Sequence, residues 1–265
     1  AMALMPEVKV LPHHDQAGAD AIHEDETHEI LCRLHLYAVL PALDDLLKNT
    51  TEAKKILGER SFSISVSIHN GPKAILFFKD GRCLVNEACP RDDGIHFFFR
   101  SPDHLNRLMQ GRPVLPGVEF TTFQPRNLIV FLRLLNLLRK YLRPRDLAAK
   151  DTQFRANHVR LLLGIAFFGL KQLAEHEEAS RRRILETPYG LALFSTENEN
   201  LATWASWDGV DILAGKGEPE HKSPDVIITF KDATIAYQAL NEKLDPMASI
   251  GLHLIQTRGL LPLAD

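Results

Sequence analysis

The most regular alternation of hydrophobic and polar residues lies between positions 62 and 68. Phenylalanine, isoleucine, valine and isoleucine alternate there with serines, which predicts a strand with one buried face. Residues 74–78 predict a second strand, and the Asp80-Gly81 turn leads from it into a third at 83–85. Residues 95–99 predict a fourth. A helix capped by Ser101 should follow and end near Gly111.

Helices are predicted on both sides of these strands. Apolar residues three and four apart indicate a helix from Thr27 to about Leu40, after which Pro41 either starts a second helix or kinks the first. The helix at Asn127–Leu142 has only a narrow polar stripe and should be buried on most sides. It would be a core helix between domains, a dimer interface or a contact with a membrane surface.

The strand pattern recurs in the second half of the chain. Tyr189–Thr196 corresponds to Ser61–Ile68, 128 positions earlier. Ala202–Trp207 followed by Asp-Gly corresponds to Ala74–Lys79 followed by Asp-Gly at the same offset, whereas Phe230 follows Phe99 by 131 positions. The three extra residues fall in a loop, where a change of length costs little. The sequence therefore predicts a tandem of two similar units.

The clearest motif follows the last of these strands. Val226–Phe230 predicts a strand, Asp232 caps a short apolar helix, and Asp245-Pro246 ends it. This order resembles the sterol-carrier-protein family, and the matching residues are Phe230, Asp232, Leu244, Asp245, Pro246, Met247, Gly251 and Gly259. Two features depart from the family pattern: Asn241 or Glu242 replaces a common glycine, which Gly111 restores in the first copy, and the Met247–Gly259 spacing is irregular.

The resemblance implies an α/β (α+β) fold with two sterol-carrier-like units. Each unit would be a mainly antiparallel sheet with helices packed on one face. The predicted organisation is a mobile N-terminal arm at 1–26, a first domain at 27–143 and a second domain at 144–265. The boundary falls in a basic run around Pro144.

The resemblance also implies an apolar ligand held between sheet and helices. Candidate lining residues in the first unit are Phe97, Phe99, Leu105, Leu108, Met109 and Leu115. Their counterparts in the second are Ile228, Phe230, Ile235, Ala239, Leu240, Met247, Leu252 and Leu254. Plain core packing would use the same residues. Because the bulk of Phe97–Phe99 would fill the first cavity, the second unit is the expected ligand holder.

No catalytic residue, metal site or cofactor is predicted. His23 and His28 are five residues apart, whereas the zinc-protease motif needs four. Cys32, Cys83 and Cys89 lack metal-type spacing, and their odd number favours a reducing, cytoplasmic setting. The net charge of −3 argues against a nucleic-acid partner. The apolar runs are far shorter than the ~20 residues of a membrane span.

The sequence therefore predicts a non-enzymatic carrier or binding protein for a sterol, a fatty acyl chain or a similar lipid. The alternative is an interaction or scaffold module that has lost its cavity and uses the helix at Asn127–Leu142 to self-associate or to dock a partner enzyme. A hydrophobic small molecule is the expected partner. Peripheral contact with a membrane and a homodimer both stay open.

Overall fold

A computed structural model describes residues 17–87, 94–121, 125–143, 151–199, 201–220, 222–241, 249 and 251–259. The chain divides into two compact units, residues 1–143 and residues 144–265. Each unit contains one five-stranded mixed sheet with helices. The predicted α/β (α+β) class is confirmed.

The first unit begins with helices, and the rest of its helices follow the strands. Its elements are helix α1 (Ala17–Leu34), a π-helical turn (His35–Val39), helices α2 (Ala42–Asn49) and α3 (Thr51–Leu57), strands β1 (Phe62–Ile68), β2 (Lys73–Lys79), β3 (Arg82–Glu87) and β4 (Ile95–Phe99), helix α4 (Pro102–Gln110), strand β5 (Gly117–Phe120) and helix α5 (Pro125–Leu142). The strand order is β3-β2-β1-β4-β5. Only β1 and β4 run parallel; the other neighbouring pairs are antiparallel.

Local sequence sets the turns and helix ends of this unit. Asp80 and Gly81 both have positive φ, as a tight hairpin between β2 and β3 requires. The Ser101 hydroxyl accepts a hydrogen bond from the His104 amide at the start of α4, and Gly111 ends the helix in the left-handed conformation. These two residues act as the sequence predicts.

One buried carboxylate ties α2 to the hairpin. Asp44 accepts hydrogen bonds from Nε and Nη2 of Arg82, at 2.8 and 3.1 Å, and from the Cys83 amide at 3.1 Å. Burial alone would raise the pKa of Asp44, but hydrogen bonds from Arg82 and Lys48 outweigh it and lower the pKa. Asp44 is therefore ionised at neutral pH and fixes α2 against the sheet.

The second unit has the same sheet topology. Its elements are helices α6 (Thr152–His176) and α7 (Glu178–Leu185), strands β6 (Gly190–Thr196), β7 (Ala202–Trp207), β8 (Ile212–Lys216) and β9 (Val226–Phe230), helix α8 (Ala233–Leu240) and strand β10 (Ile255–Gly259). The strand order read from β8 is β8-β7-β6-β9-β10, and only β6 and β9 run parallel. Strand for strand, this matches the first sheet.

The predicted correspondence between the halves holds residue by residue at the sheet centres. Ile68 pairs with Phe99 across β1 and β4, and Thr196 pairs with Phe230 across β6 and β9. These pairs stand at the offsets of 128 and 131 residues that the sequence shows. Asp232 caps α8 by accepting a hydrogen bond from the Ile235 amide, as Ser101 caps α4.

Two features of the structure were not predicted. Helix α1 begins at Ala17, within the predicted arm at 1–26, because an alanine-rich start can extend a helix without apolar periodicity. Strand β5 was not predicted, because four residues give little periodicity. Cys89, Met247 and Asp245-Pro246 lie outside the described residues.

Gly259 at the end of β10 supports a stability prediction. Its φ is +102°, and a Cβ atom there would overlap the Asp225 carbonyl. Gly259→Ala should therefore destabilise the second unit by about 1–3 kcal/mol. Gly251→Ala is the matched control, because open space surrounds that position. The reporter is the fluorescence of Trp204 and Trp207, the two tryptophans of the chain, during denaturation. Equal midpoints for the two variants would contradict the prediction.

No helix among the described residues is long and apolar enough to cross a membrane.

Candidate functional site

An apolar cavity of about 310 Å³ lies between the sheet and the helices of the first unit. The residues that line it come from the π-helical turn and the residue after it, from β1, β4 and β5, from α4 and α5, and from the segment between α4 and β5. They are His35, Leu36, Leu40, Val66, Phe97, Phe99, Leu105, Leu108, Met109, Val114, Leu115, Pro116, Val118, Leu128, Phe131, Leu132 and Leu135. The wall is almost wholly apolar. Its volume is within the range of about 300–1,000 Å³ that small-molecule sites occupy.

Strand register builds the sheet side of the wall. Val66 pairs with Phe97, and Phe97 pairs with Val118, so three neighbouring strands present one row of side chains on the same face. Phe99, two residues further along β4, faces the same way. Phe98 lies between them on the opposite face and is exposed.

Helical spacing builds the other side. Leu128, Phe131, Leu132 and Leu135 follow one another at intervals of three and four residues along α5, and Leu105, Leu108 and Met109 do so along α4. The Phe97 and Phe131 rings are 5.8 Å apart between centroids, so the sheet and α5 are in contact at this part of the wall. The opposite stripe of α5 contains Arg133, Asn136 and Lys140, all exposed, so the predicted polar stripe lies toward solvent.

The cavity opens between the segment that leads into β5 and the start of α5. Leu115 and Leu132 both line the cavity, yet their exposed fractions are 89% and 43%. Val118 is likewise at the edge. Ile129, one turn from Leu132, is exposed without lining the cavity. We call Leu115, Val118 and Leu132 the rim. A ligand would enter past these side chains.

His35 is the one polar side chain among the lining residues, and its residue exposure is 1%. Its Nδ1 atom is 3.1 Å from the Oδ1 atom of Asn106, and the Asn106 amide donates to the His28 carbonyl at 2.8 Å. Burial lowers the pKa of His35 to about 4, although hydrogen bonds to Asn106 and to the Leu31 carbonyl oppose the shift. The ring is therefore neutral at neutral pH.

The titration of His35 predicts a pH-dependent loss of stability. The unfolded chain takes up the proton near pH 6.5 and the folded chain near pH 4, so the unfolded state binds more protons in between. Stability should therefore fall as the pH falls from 6.5 to 4, by about 3 kcal/mol in total for this residue. Denaturation midpoints of wild type and His35→Leu are measured at several pH values between 6.5 and 4. The difference between the two proteins gives the contribution of His35 to stability. A wild-type-to-variant difference that stays constant would contradict it.

The structure brings all six predicted residues of the first unit to the cavity wall: Phe97, Phe99, Leu105, Leu108, Met109 and Leu115. The expectation that the three consecutive phenylalanines fill this space is wrong. Strand alternation turns Phe98 to the other face, while the Phe97 and Phe99 rings pack sideways against Phe131 and His104. The cavity stays open between them.

The predicted residues of the second unit are distributed differently. Ile228, Phe230, Ile235 and Ala239 belong to a packed core with Val159, Leu163 and Phe167 of α6. Leu240 and Leu252 are exposed, the latter by 70%, and Leu254 is half-buried. Met247 lies outside the described residues. The cavity described above is in the first unit, although the sequence favoured the second as ligand holder.

Sequence reasoning missed the remaining lining residues, above all His35. The sequence places Leu40 and the leucines of α5 on helices but does not show which way their side chains point. His35 did leave a signal, since a single histidine stands in an otherwise apolar helical run between Leu34 and Leu40. Pro116 and Val118 gave none, because β5 is too short to show alternation.

A histidine and a serine meet on the opposite face of the first sheet. Ser67 Oγ is 2.6 Å from His96 Nε2, and Glu119 Oε2 is 3.9 Å from His96 Nδ1. The order of groups is that of a hydrolase triad, but the second distance exceeds a hydrogen bond and Ser67 is buried in mid-strand. This contact satisfies a buried hydroxyl and offers no accessible nucleophile.

The buried thiols are likewise unsuited to chemistry. Cys32 and Cys83 are both buried, and neither forms a disulfide within the part of the chain that the structure describes. Burial raises the pKa of Cys32 to about 12, so it is a neutral thiol at physiological pH.

No family model matches the chain, and no curated protein matches its sequence. Among solved structures, the sterol carrier protein 2 of Yarrowia lipolytica, in its apo form, is 14% identical, with 39% of this chain and 88% of that chain covered and a TM-score of 0.31. The sterol carrier protein domain 2 of Helicoverpa armigera is 16% identical, with 38% and 79% covered and a TM-score of 0.29.

A stereoselective inverting sec-alkylsulfatase from Pseudomonas sp. is 12% identical over 50% of this chain and 26% of its own, with a TM-score of 0.24. At sequence identities this low, the similarity is one of fold and says nothing about function. The fold of this chain is distantly similar to that of sterol carrier protein 2 domains.

Proposed function

We propose that the first unit binds a hydrophobic small molecule, such as a sterol or a fatty acyl chain, and that the protein acts as a lipid carrier or lipid-binding protein. The observation that supports this proposal is the apolar cavity with an open mouth. A filled core would not leave about 310 Å³ between sheet and helices. In this role the protein holds its ligand and does not transform it.

The driving force for binding would be the removal of apolar ligand surface from water, at about 25 cal/mol per Å². A wall with a single polar side chain can supply this without displacing many protein–water hydrogen bonds. Met109 in the wall adds a flexible thioether that adapts to irregular ligand shapes. Cavity shape would then govern which lipids fit.

Native mass spectrometry tests the proposal, followed by organic extraction and analysis of the extract. The purified chain is then titrated with the neutral dye Nile red, which fluoresces in apolar cavities. We expect one bound molecule per chain, because the cavity is in the first unit. A chain that co-purifies with no lipid and leaves the dye in water would overturn the proposal.

The exposed side chains of the rim and of α5 beside it support a second part of the proposal. In this part, the protein contacts a membrane surface and exchanges its ligand there. Ile129 and Leu132 are exposed on α5, and two exposed arginines flank Ile129: Arg126 three residues before it and Arg133 four residues after it. Apolar side chains beside two guanidinium groups suit an interface with anionic headgroups. Sedimentation with phosphatidylcholine vesicles, with and without phosphatidylglycerol, tests this; equal absence of binding to both would contradict it.

The alternative role, an interaction module that self-associates or docks a partner enzyme, would use the same exposed face of α5. Ile129 and Leu132 would then be buried between proteins. The solution mass of the purified chain separates the two roles. A dimer that excludes Nile red and carries no lipid would favour the interaction module over the carrier.

A further inference from the structure

One polar atom in the cavity wall has no partner. His35 Nε2 is buried and makes no hydrogen bond within the part of the chain that the structure describes. Native proteins satisfy nearly all buried polar atoms, so such an atom calls for an explanation. Its ring lines a cavity in which every other lining side chain is apolar. A molecule in that cavity is thus the available partner.

The neighbours of His35 determine which nitrogen carries the proton. The Asn106 amide nitrogen donates to the His28 carbonyl, which leaves its Oδ1 atom facing His35 Nδ1. A carbonyl oxygen only accepts, so Nδ1 must donate. The Leu31 carbonyl also accepts from the ring, which agrees with this tautomer. In a neutral ring, Nε2 is then a bare acceptor.

The backbone at His35 is unusual as well. The π-helical turn His35–Val39 begins at this residue, and the His35 carbonyl accepts a hydrogen bond from the Leu40 amide at 3.1 Å. Single π-helical turns are rare and occur frequently at functional sites. Both the backbone irregularity and the unpartnered nitrogen therefore lie at one residue of the cavity wall.

We propose that His35 Nε2 accepts a hydrogen bond from a hydroxyl group of the ligand, so that the first unit selects apolar alcohols over ethers and carboxylates with the same carbon skeleton. The inference rests on the proposed function of this cavity. An ether oxygen would bring its lone pairs against the lone pair of Nε2. A carboxylate would do the same and would also lose the hydration of its charge in an apolar wall.

Competition with Nile red at neutral pH tests the selectivity, with dodecan-1-ol, dodecyl methyl ether and dodecanoate as competitors. The quantity of interest is the ratio of alcohol affinity to ether affinity, in wild type and in His35→Leu. Comparing this ratio between proteins cancels the difference in ligand hydration. We expect the ratio to fall about tenfold in the variant, the effect of one lost hydrogen bond to a buried acceptor. Dodecanoate should be the weakest competitor for the wild type.

In His35→Leu, the Asn106 oxygen loses its hydrogen-bond partner, which could disturb the fold. The double variant His35→Leu/Asn106→Leu controls for this effect, because it removes that oxygen as well. It should show the same reduced ratio, with circular dichroism confirming the fold. An unchanged ratio in both variants, with both ligands displacing the dye, would overturn the selectivity and leave the proposed function intact. A wild-type chain that binds neither dye nor competitors would overturn both.

Discussion

Replacing Val118 and Leu132 together by tryptophan is expected to weaken ligand binding by nearly two orders of magnitude. Both side chains line the cavity at its mouth, and both are partly exposed, so larger rings can be accommodated without breaking the core. If the rings deprive a ligand of about 100 Å² of buried apolar contact, binding weakens by about 2.5 kcal/mol, or about 70-fold. Nile red titration measures the change.

The chain provides a matched control for this double variant. Glu119 follows Val118 on the same strand but faces the other side of the sheet, and Ile129 is one turn from Leu132 on α5 without lining the cavity. Glu119→Trp/Ile129→Trp therefore adds the same bulk to the same elements outside the cavity. It should bind the dye like the wild type. Equal affinity of the two double variants would show that the dye does not enter at this mouth.

The second large effect concerns the stability of the first unit. Leu134 on α5 has no exposed surface and lies on the helix side away from the cavity. Leu134→Ala should cost about 2–5 kcal/mol, because the deleted methyl groups leave a void in the core. Leu132→Ala is the control on the same helix. It should cost less than about 1 kcal/mol, since that side chain is already partly in water.

Two probes separate the units in this experiment. Far-ultraviolet circular dichroism follows the whole chain during chemical denaturation, whereas Trp204 and Trp207 report on the second unit alone. Leu134→Ala should move a transition seen by circular dichroism to lower denaturant. If Leu134→Ala and Leu132→Ala had the same midpoint, α5 would not be packed as its burial indicates.

Much of the fold could be predicted from the sequence because its signals are local. The serine alternation of β1, the Asp80-Gly81 turn and the Ser101 cap each depend on a few adjacent residues. The repeat offsets of 128 and 131 residues extended these signals to the second sheet, and Asp232 repeats the role of Ser101. Strand β5 is too short to show alternation, and the alanine-rich start of α1 has no apolar periodicity. The sequence therefore did not predict either of them.

For the candidate site, the sequence by itself determined the chemistry of the wall. It identified apolar positions on β4, on α4 and in the segment between α4 and β5, and the six residues predicted there do lie at the cavity. Tertiary structure alone decided that the first unit leaves space between its layers. That depends on how the Phe97 and Phe99 rings pack against Phe131 and His104, and packing between residues distant in sequence leaves no periodic trace.

The role of His35 shows the same division. The sequence determined that one histidine interrupts an apolar helical run, which is equally compatible with a satisfied core residue. Only the fold placed Asn106, 71 residues later, against Nδ1 of His35 and left Nε2 without a partner among the described residues. Hydrogen bonds have fixed geometry and short range. Whether a buried polar atom is satisfied is therefore decided by three-dimensional neighbours, which the sequence alone does not reveal.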